Sequence, residues 1–230
     1  MKAYLINLKR DEARLKAQRE QFARFGVEFE RVEAKTGGEL DRFRWWCAVL
    51  RPPVQGELGC AASHLACYRR LLAGGDTCAA VFEDDVKLGA GIQSALKAAE
   101  AKCLEDAQAV VMMSDHRRTK AGELGVDGDA KVEKTDWEEC SEGYVIGREA
   151  ARLLVAHQTK TRVPIDYWTY FARKGWIRLY RTVPAVCAQD QISFKSNLGA
   201  RYVVAGKGWR ERAWWRLRRM AGGALDRLFG

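Results

Sequence analysis

The stretch AAVFEDDVKL, residues 79–88, passes from small and apolar side chains straight into three adjacent carboxylates, Glu83, Asp84 and Asp85. With Cys78 in front, CAAVFEDD reads as a central strand that is apolar on both faces. Such strands belong to mostly parallel sheets covered by helices on each side. A carboxylate is costly to bury unless it is paired or bound to a cation. At the exit of a strand it can instead face a cleft, and in open α/β sheets ligands lie beyond the carboxyl ends of the strands. Three acids there offer oxygen ligands to a hard divalent cation, whose remaining positions water and a substrate phosphate can fill. The plain alternative is a solvated acidic loop that starts the next helix, and the local pattern alone leaves both open.

Strand and helix signals alternate on either side. AYLINL is a first strand. Asp11 is placed to cap a helix that runs to about Phe25, where Gly26 stops it. VEFERVEA is a second strand, and residues 41–55 read as a loop with a helical piece. GELGCAASHLACYRRLLAGG, residues 56–75, is a long helix closed by two glycines. A helix over about 92–104 and the buried strand QAVVMMS follow. Residues 115–140 read as irregular, with a short strand near 131. GYVIG then leads into the helix REAARLLVAHQ, PIDYWTYFARKG carries a short helix, and WIRLYRTV is a strand. The expected class is therefore α/β, with a mostly parallel Rossmann-type sheet flanked by helices.

The totals narrow the possibilities. The chain has 230 residues, 47% hydrophobic and 30% charged, which suits one globular domain with a small appendage. Residues 1–202 are expected to form the domain and residues 203–230 a tail. No apolar run approaches the roughly 20 residues that span a bilayer, and the start, MKAYLINLKRDEARL, lacks the features of a signal peptide. A cytoplasmic protein is expected. Seven cysteines, an odd number without a CxxC pair, read as buried free thiols.

The net charge of +9 is concentrated at the end: from Arg201 onward eight Lys or Arg face two Asp or Glu. Drawn as a helix, GWRERAWWRLRRMAGGALDRLF gathers Trp209, Trp214, Leu217, Met220 and Leu225 in one arc, with most arginines outside it. That composition suits an interfacial helix on the anionic inner face of a membrane; a helix packed on the domain with a solvated basic face is the alternative. No nucleic-acid-binding motif accompanies the charge, so nucleic acid is not an expected partner.

INLKRDEARL (residues 6–15), GELGCAASH (56–64) and VFEDD (81–85) occur in this order, followed by EGYVIGREAARLL (142–154), VPIDYW (163–168) and VPAVCAQDQISFKSNLG (183–199). Together, over roughly residues 1–200, they resemble glycosyltransferase family 25, the lipooligosaccharide and lipopolysaccharide glycosyltransferases that include bacterial β-1,4-galactosyltransferases. The resemblance implies a GT-A fold, a UDP-sugar donor, a lipid-linked oligosaccharide acceptor, and Mn²⁺ or Mg²⁺ at the EDD position. By that match Asp85 is the metal ligand, with Glu83 and Asp84 near the donor's ribose or the metal. Asn7, Arg10 and Arg14 fall near the nucleotide, although a solvated helix start would use the same residues. Ala34 and Gly37 match the turn that closes over the uracil. Asp190 matches an acidic position of some relatives that completes the metal shell or holds the acceptor.

Transfer with inversion needs a base on the acceptor hydroxyl. Asp166 is the candidate, because it opens a short helix among Tyr167, Trp168 and Tyr170, whose faces suit sugar rings. Its plain alternative is a helix cap. His64 is a second candidate base, although a lone helical histidine more often belongs to a core. A metal phosphohydrolase using the same acids is a competing enzyme class, but it wants more ligands than histidines 64, 116 and 157 supply. A non-catalytic membrane-binding module driven by the tail is the third reading.

Overall fold

A computed structural model of the chain describes residues 1–49, 51–114, 124 and 128–190. The tail from 203 onward, His116 and residues 115–123 and 125–127 of the segment read as irregular lie outside the described residues.

The elements follow the hydrophobic pattern. Strand β1 (Lys2–Asn7) leads to helix α1 (Glu12–Arg24), strand β2 (Glu30–Glu33), helices α2 (Arg42–Val49) and α3 (Gln55–Ala73), and strand β3 (Cys78–Glu83). Then come strand β4 (Val86–Leu88), helix α4 (Ile92–Glu105), strands β5 (Ala109–Met112), β6 (Lys131–Lys134) and β7 (Gly143–Gly147), helices α5 (Arg148–Gln158) and α6 (Trp168–Arg173), and strands β8 (Arg178–Val183) and β9 (Cys187–Gln189). Asp11 stands at the N-cap of α1 but makes no capping hydrogen bond with its side chain. Gly26 terminates that helix region at a φ of +64°, a conformation that costs glycine nothing.

Seven strands form one sheet in the order β2-β1-β3-β7-β5-β8-β6. Strands β2, β1, β3, β5 and β8 run one way, while β7 and β6 run the other. The mixed α/β architecture with a mostly parallel sheet is the expected one. The antiparallel β7, wedged between β3 and β5, is not foreseen by strand-helix alternation.

The central strand is apolar on both faces because both are covered. Ala79 and Val81 point into one cluster with Tyr68, Leu71, Leu154 and Trp168. Cys78, Ala80 and Phe82 point into the other, with Leu15, Phe22, Ile92 and Ala99. Helices α3, α5 and α6 thus cover one face, and α1 and α4 the other. Phe82 meets Phe22 edge-on at 5.1 Å between ring centroids, a geometry that aromatic quadrupoles favour. Burying a side chain of that size contributes on the order of 3 kcal/mol.

A second, two-stranded sheet pairs β4 with β9, Val86 opposite Gln189 and Leu88 opposite Cys187. Val186 and Cys187 both donate their amides to the Met113 carbonyl at 2.8 Å, which fastens this ribbon to the end of β5. The ribbon sits where β3 leaves the main sheet, so Asp85 and Asp190 flank one edge of it. All seven cysteines are free thiols, four of them buried. Among the described residues no helix is long and apolar enough to cross a membrane.

Candidate active site

Neighbouring residues of an extended chain point to opposite sides, and the acidic turn after β3 sends its three carboxylates into three different environments.

Asp84 turns toward α1. Its Oδ1 accepts from Arg14 Nη1 at 2.7 Å and its Oδ2 from Asn7 Nδ2 at 2.8 Å, all three residues being buried. Arg31 Nε donates to Asn7 Oδ1 at 3.1 Å and so orients the amide. Gln18 Nε2 reaches the main-chain oxygens of Asp84 and Val86 at 3.1 and 3.0 Å. Burial still raises the Asp84 pKa against the opposing pull of Arg14 and Asn7. Arg14 and Asn7 are thus engaged in holding the turn. Arg10 is exposed, 3.9 Å from Asp11.

Asp85 turns toward the ribbon. Its Oδ2 accepts from Gln189 Nε2 at 2.9 Å, while its Oδ1 is buried with no hydrogen-bond partner. Burial first, and the charge of Glu83 second, push its pKa up to about 7. The Asp190 amide donates to the Asp85 carbonyl at 2.6 Å, and Lys87 Nζ lies 3.2 Å from Asp190 Oδ1. A buried carboxylate oxygen without a donor is a site of unmet negative potential. Together with Asp190, the residue that follows β9, it is the donor chemistry that Mg²⁺ or Mn²⁺ takes. The residues present therefore fit such an ion.

Glu83 turns toward α3. Its Oε1 accepts from Ser141 Oγ at 2.5 Å, and His64 Nε2 lies 3.4 Å away. His64 Nδ1 is 2.6 Å from Tyr144 Oη, which is 2.6 Å from Tyr68 Oη. Burial raises the pKa of both phenols, so they serve as neutral hydrogen-bonding groups. His64 has no solvent exposure. Of the two readings of the sequence, this depth favours the core residue beneath the acidic turn over the base, since the imidazole offers an acceptor no exposed surface.

Asp166 lies in the turn before α6. The N-cap position belongs to Tyr167, so Asp166 is not the cap of that helix. Trp168 anchors α6: its Nε1 donates to the Cys140 carbonyl at 2.6 Å and its ring meets Tyr144 edge-on at 4.9 Å. Cys140 has a φ of +66°, a region that non-glycine residues seldom occupy. The next residue is Ser141, the donor to Glu83. One short loop therefore ties the acidic turn to the helix that Asp166 precedes. Arg51 is held charged chiefly by its two-pronged bond to Glu57, and the charge of Asp166 adds to the effect.

Ala34 and Gly37 belong to a loop seated on α3. The Ala34 amide donates to the Asn7 carbonyl at 3.0 Å, and the Lys35 amide to Ser63 Oγ at 2.8 Å. Gly59 allows this approach, since a Cβ there would stand 2.3 Å from the Lys35 carbonyl. Ser141, Tyr144 and Gln189 complete the surroundings of the acids. Only Gln189, two residues from β9's start and beside Asp190, had a sequence signal, the polar pair that follows an apolar strand.

A family model described as glycosyltransferase family 25 (LPS biosynthesis protein) matches residues 1–169. No curated protein gives a significant match.

Proposed function

The chain belongs to glycosyltransferase family 25, and from that premise we propose that it transfers galactose from a UDP-sugar to a lipooligosaccharide- or lipopolysaccharide-type acceptor, with inversion, on a GT-A-like fold. The observation that carries this reading is the buried, unpartnered Oδ1 of Asp85 beside Asp190 at the exit of the central strand.

In this reading Asp85 and Asp190 hold Mn²⁺ or Mg²⁺. Such an ion, when bound, neutralises the charge that grows on the departing diphosphate. The protein's own work is positional. Arg14, Asn7 and Gln18 fix the turn so that Asp85 faces away from α1. Glu83, whose carboxylate Ser141 orients, belongs in this reading to the neighbourhood of the donor's ribose or the metal. The loop of Ala34 and Gly37 closes over the uracil. Asp166 takes the proton from the acceptor hydroxyl as the sugar's oxocarbenium-like centre is attacked, and Tyr167 and Tyr170 offer ring faces to the acceptor. The basic tail from 203 holds the enzyme against anionic lipid, where lipid-linked acceptors are found; this rests on its tryptophan and arginine pattern.

The test is product formation from a panel of UDP-sugars with a lipooligosaccharide acceptor, with Mn²⁺ and with EDTA. Transfer from UDP-galactose that stops in EDTA is the expected result. Full transfer in EDTA removes the metal from the mechanism, and preference for another donor removes galactose.

A further inference from the structure

Beneath the acidic turn lies a second group of ligand atoms of different chemistry. Cys60 and His64 stand four residues apart on α3, a spacing that puts both side chains on one face of a helix. That face meets the end of β3, where Glu83 arrives. One ligand atom from each of Cys60, His64 and Glu83 falls within 4.8 Å of the other two.

The state of His64 makes this more than a coincidence of neighbours. The ring is fully buried, and its Nε2 makes no hydrogen bond, although Glu83 Oε1 is 3.4 Å away. Its other nitrogen, Nδ1, is engaged at 2.6 Å with Tyr144 Oη, which Tyr68 supports in turn. With the proton on Nδ1 and donated to Tyr144, the Nε2 lone pair is aimed at a carboxylate oxygen and toward a sulfur. A buried imidazole nitrogen without a hydrogen bond then faces a carboxylate and a thiol, an arrangement that a cation completes once the thiol gives up its proton. A ring whose remote nitrogen is held by a hydrogen bond while the near one faces other donors is how proteins orient a metal-binding histidine. Ser141 Oγ, donating to Glu83 Oε1 at 2.5 Å, orients the carboxylate in the same manner.

We propose that Cys60, His64 and Glu83 form a binding site for a borderline-soft divalent cation of the Zn²⁺ class, distinct in chemistry from the oxygen site at Asp85 and Asp190. Sulfur, imidazole and carboxylate are the donor set of Zn²⁺, with a fourth position for water, whereas Mg²⁺ and Mn²⁺ prefer oxygen alone. Binding releases the thiol proton of Cys60 to solvent. The ion clamps the first half of α3 to the exit of β3 and so holds Glu83, the first residue of the acidic turn, in place.

The experiment uses the full chain, stripped with a chelator, kept reduced, and titrated with Co²⁺ in excess Mg²⁺ so that the oxygen site is filled. The expected result is thiolate-to-cobalt charge-transfer absorption with tetrahedral d–d bands that saturate at one equivalent and are bleached by Zn²⁺. Cys60→Ser, a near-isosteric change at a half-buried position, removes the charge-transfer band while the far-UV circular dichroism stays the same. Asp85→Asn leaves the band intact. Tyr144→Phe, which withdraws the support of His64 Nδ1, weakens Co²⁺ binding by about 10–100-fold. The proposal is overturned by absence of the charge-transfer band in the wild type, by its persistence in Cys60→Ser, or by its loss in Asp85→Asn. None of these outcomes depends on transferase activity.

Discussion

Arg14 Nη1 lies 2.7 Å from Asp84 Oδ1, and both side chains are buried. The pair joins the first turn of α1 to the turn after β3, seventy residues away in sequence. Removing one partner of such a pair leaves a buried charge uncompensated, at about 3–5 kcal/mol. Arg14→Met is therefore expected to lower stability by about that amount in urea unfolding. The double variant Arg14→Met with Asp84→Asn should recover a large part of the loss. A single variant as stable as the wild type would show that the ion pair does not hold the turn.

Asp85 carries a pH signature. Its pKa rises from an ordinary 3.8 to about 7, so between those values the folded chain keeps a proton that the unfolded chain has lost. The group's contribution favours folding below that window, and stability falls as pH rises through it. In metal-free buffer at about pH 8, Asp85→Asn should be more stable than the wild type by about 1–3 kcal/mol. That advantage should vanish as pH falls toward 4. Mn²⁺ should raise the unfolding temperature of the wild type and not of the variant. Thermal unfolding across the pH range reads both effects; a variant less stable at high pH would contradict the assignment.

For Asp166 the informative quantity is the split between binding and turnover. If it removes the acceptor proton, Asp166→Asn lowers kcat by about 10²–10⁴-fold and leaves UDP affinity, read by calorimetry, unchanged. Unaltered turnover would assign the proton transfer elsewhere.

Gly59 supplies a purely steric test. Adding a methyl group there drives a carbon to 2.3 Å from the Lys35 carbonyl, and the helix and loop must separate. Gly59→Ala is expected to lose about 1–3 kcal/mol of stability and to weaken UDP binding through displacement of Ala34 and Gly37. Denaturant unfolding and UDP titration measure the two separately, and a change in stability alone would detach that loop from the nucleotide.

Much of this architecture is legible in the residues. The helix pattern of residues 56–75 and the apolar run of residues 78–82 lie where periodicity and length place them. Strand direction is not carried by periodicity: GYVIG is apolar throughout and reads the same in either sense, so the antiparallel entry of β7 depends on long-range packing. Strands β4 and β9 have three residues each, too few for an alternation to register. Glu83, Asp84 and Asp85 are indistinguishable as letters. Their separation into a bond with Ser141, a pair with Arg14 and a half-satisfied acid depends on partners from α1, β9 and the loop before β7. His64 is a residue type that serves equally in a core or at a surface, and only its depth decides between them.

The insertion of β7 between β3 and β5 also constrains how the chain is made. As synthesis proceeds from the amino end, β3 and β5 emerge with no mutual pairing and must wait some thirty residues for the strand that bridges them. Until Gly143–Gly147 leaves the ribosome, two apolar strand borders stand open to solvent and to other nascent chains. A chain halted before that point should clump or recruit a chaperone, whereas one continued through β8, which covers the other border of β5, should not.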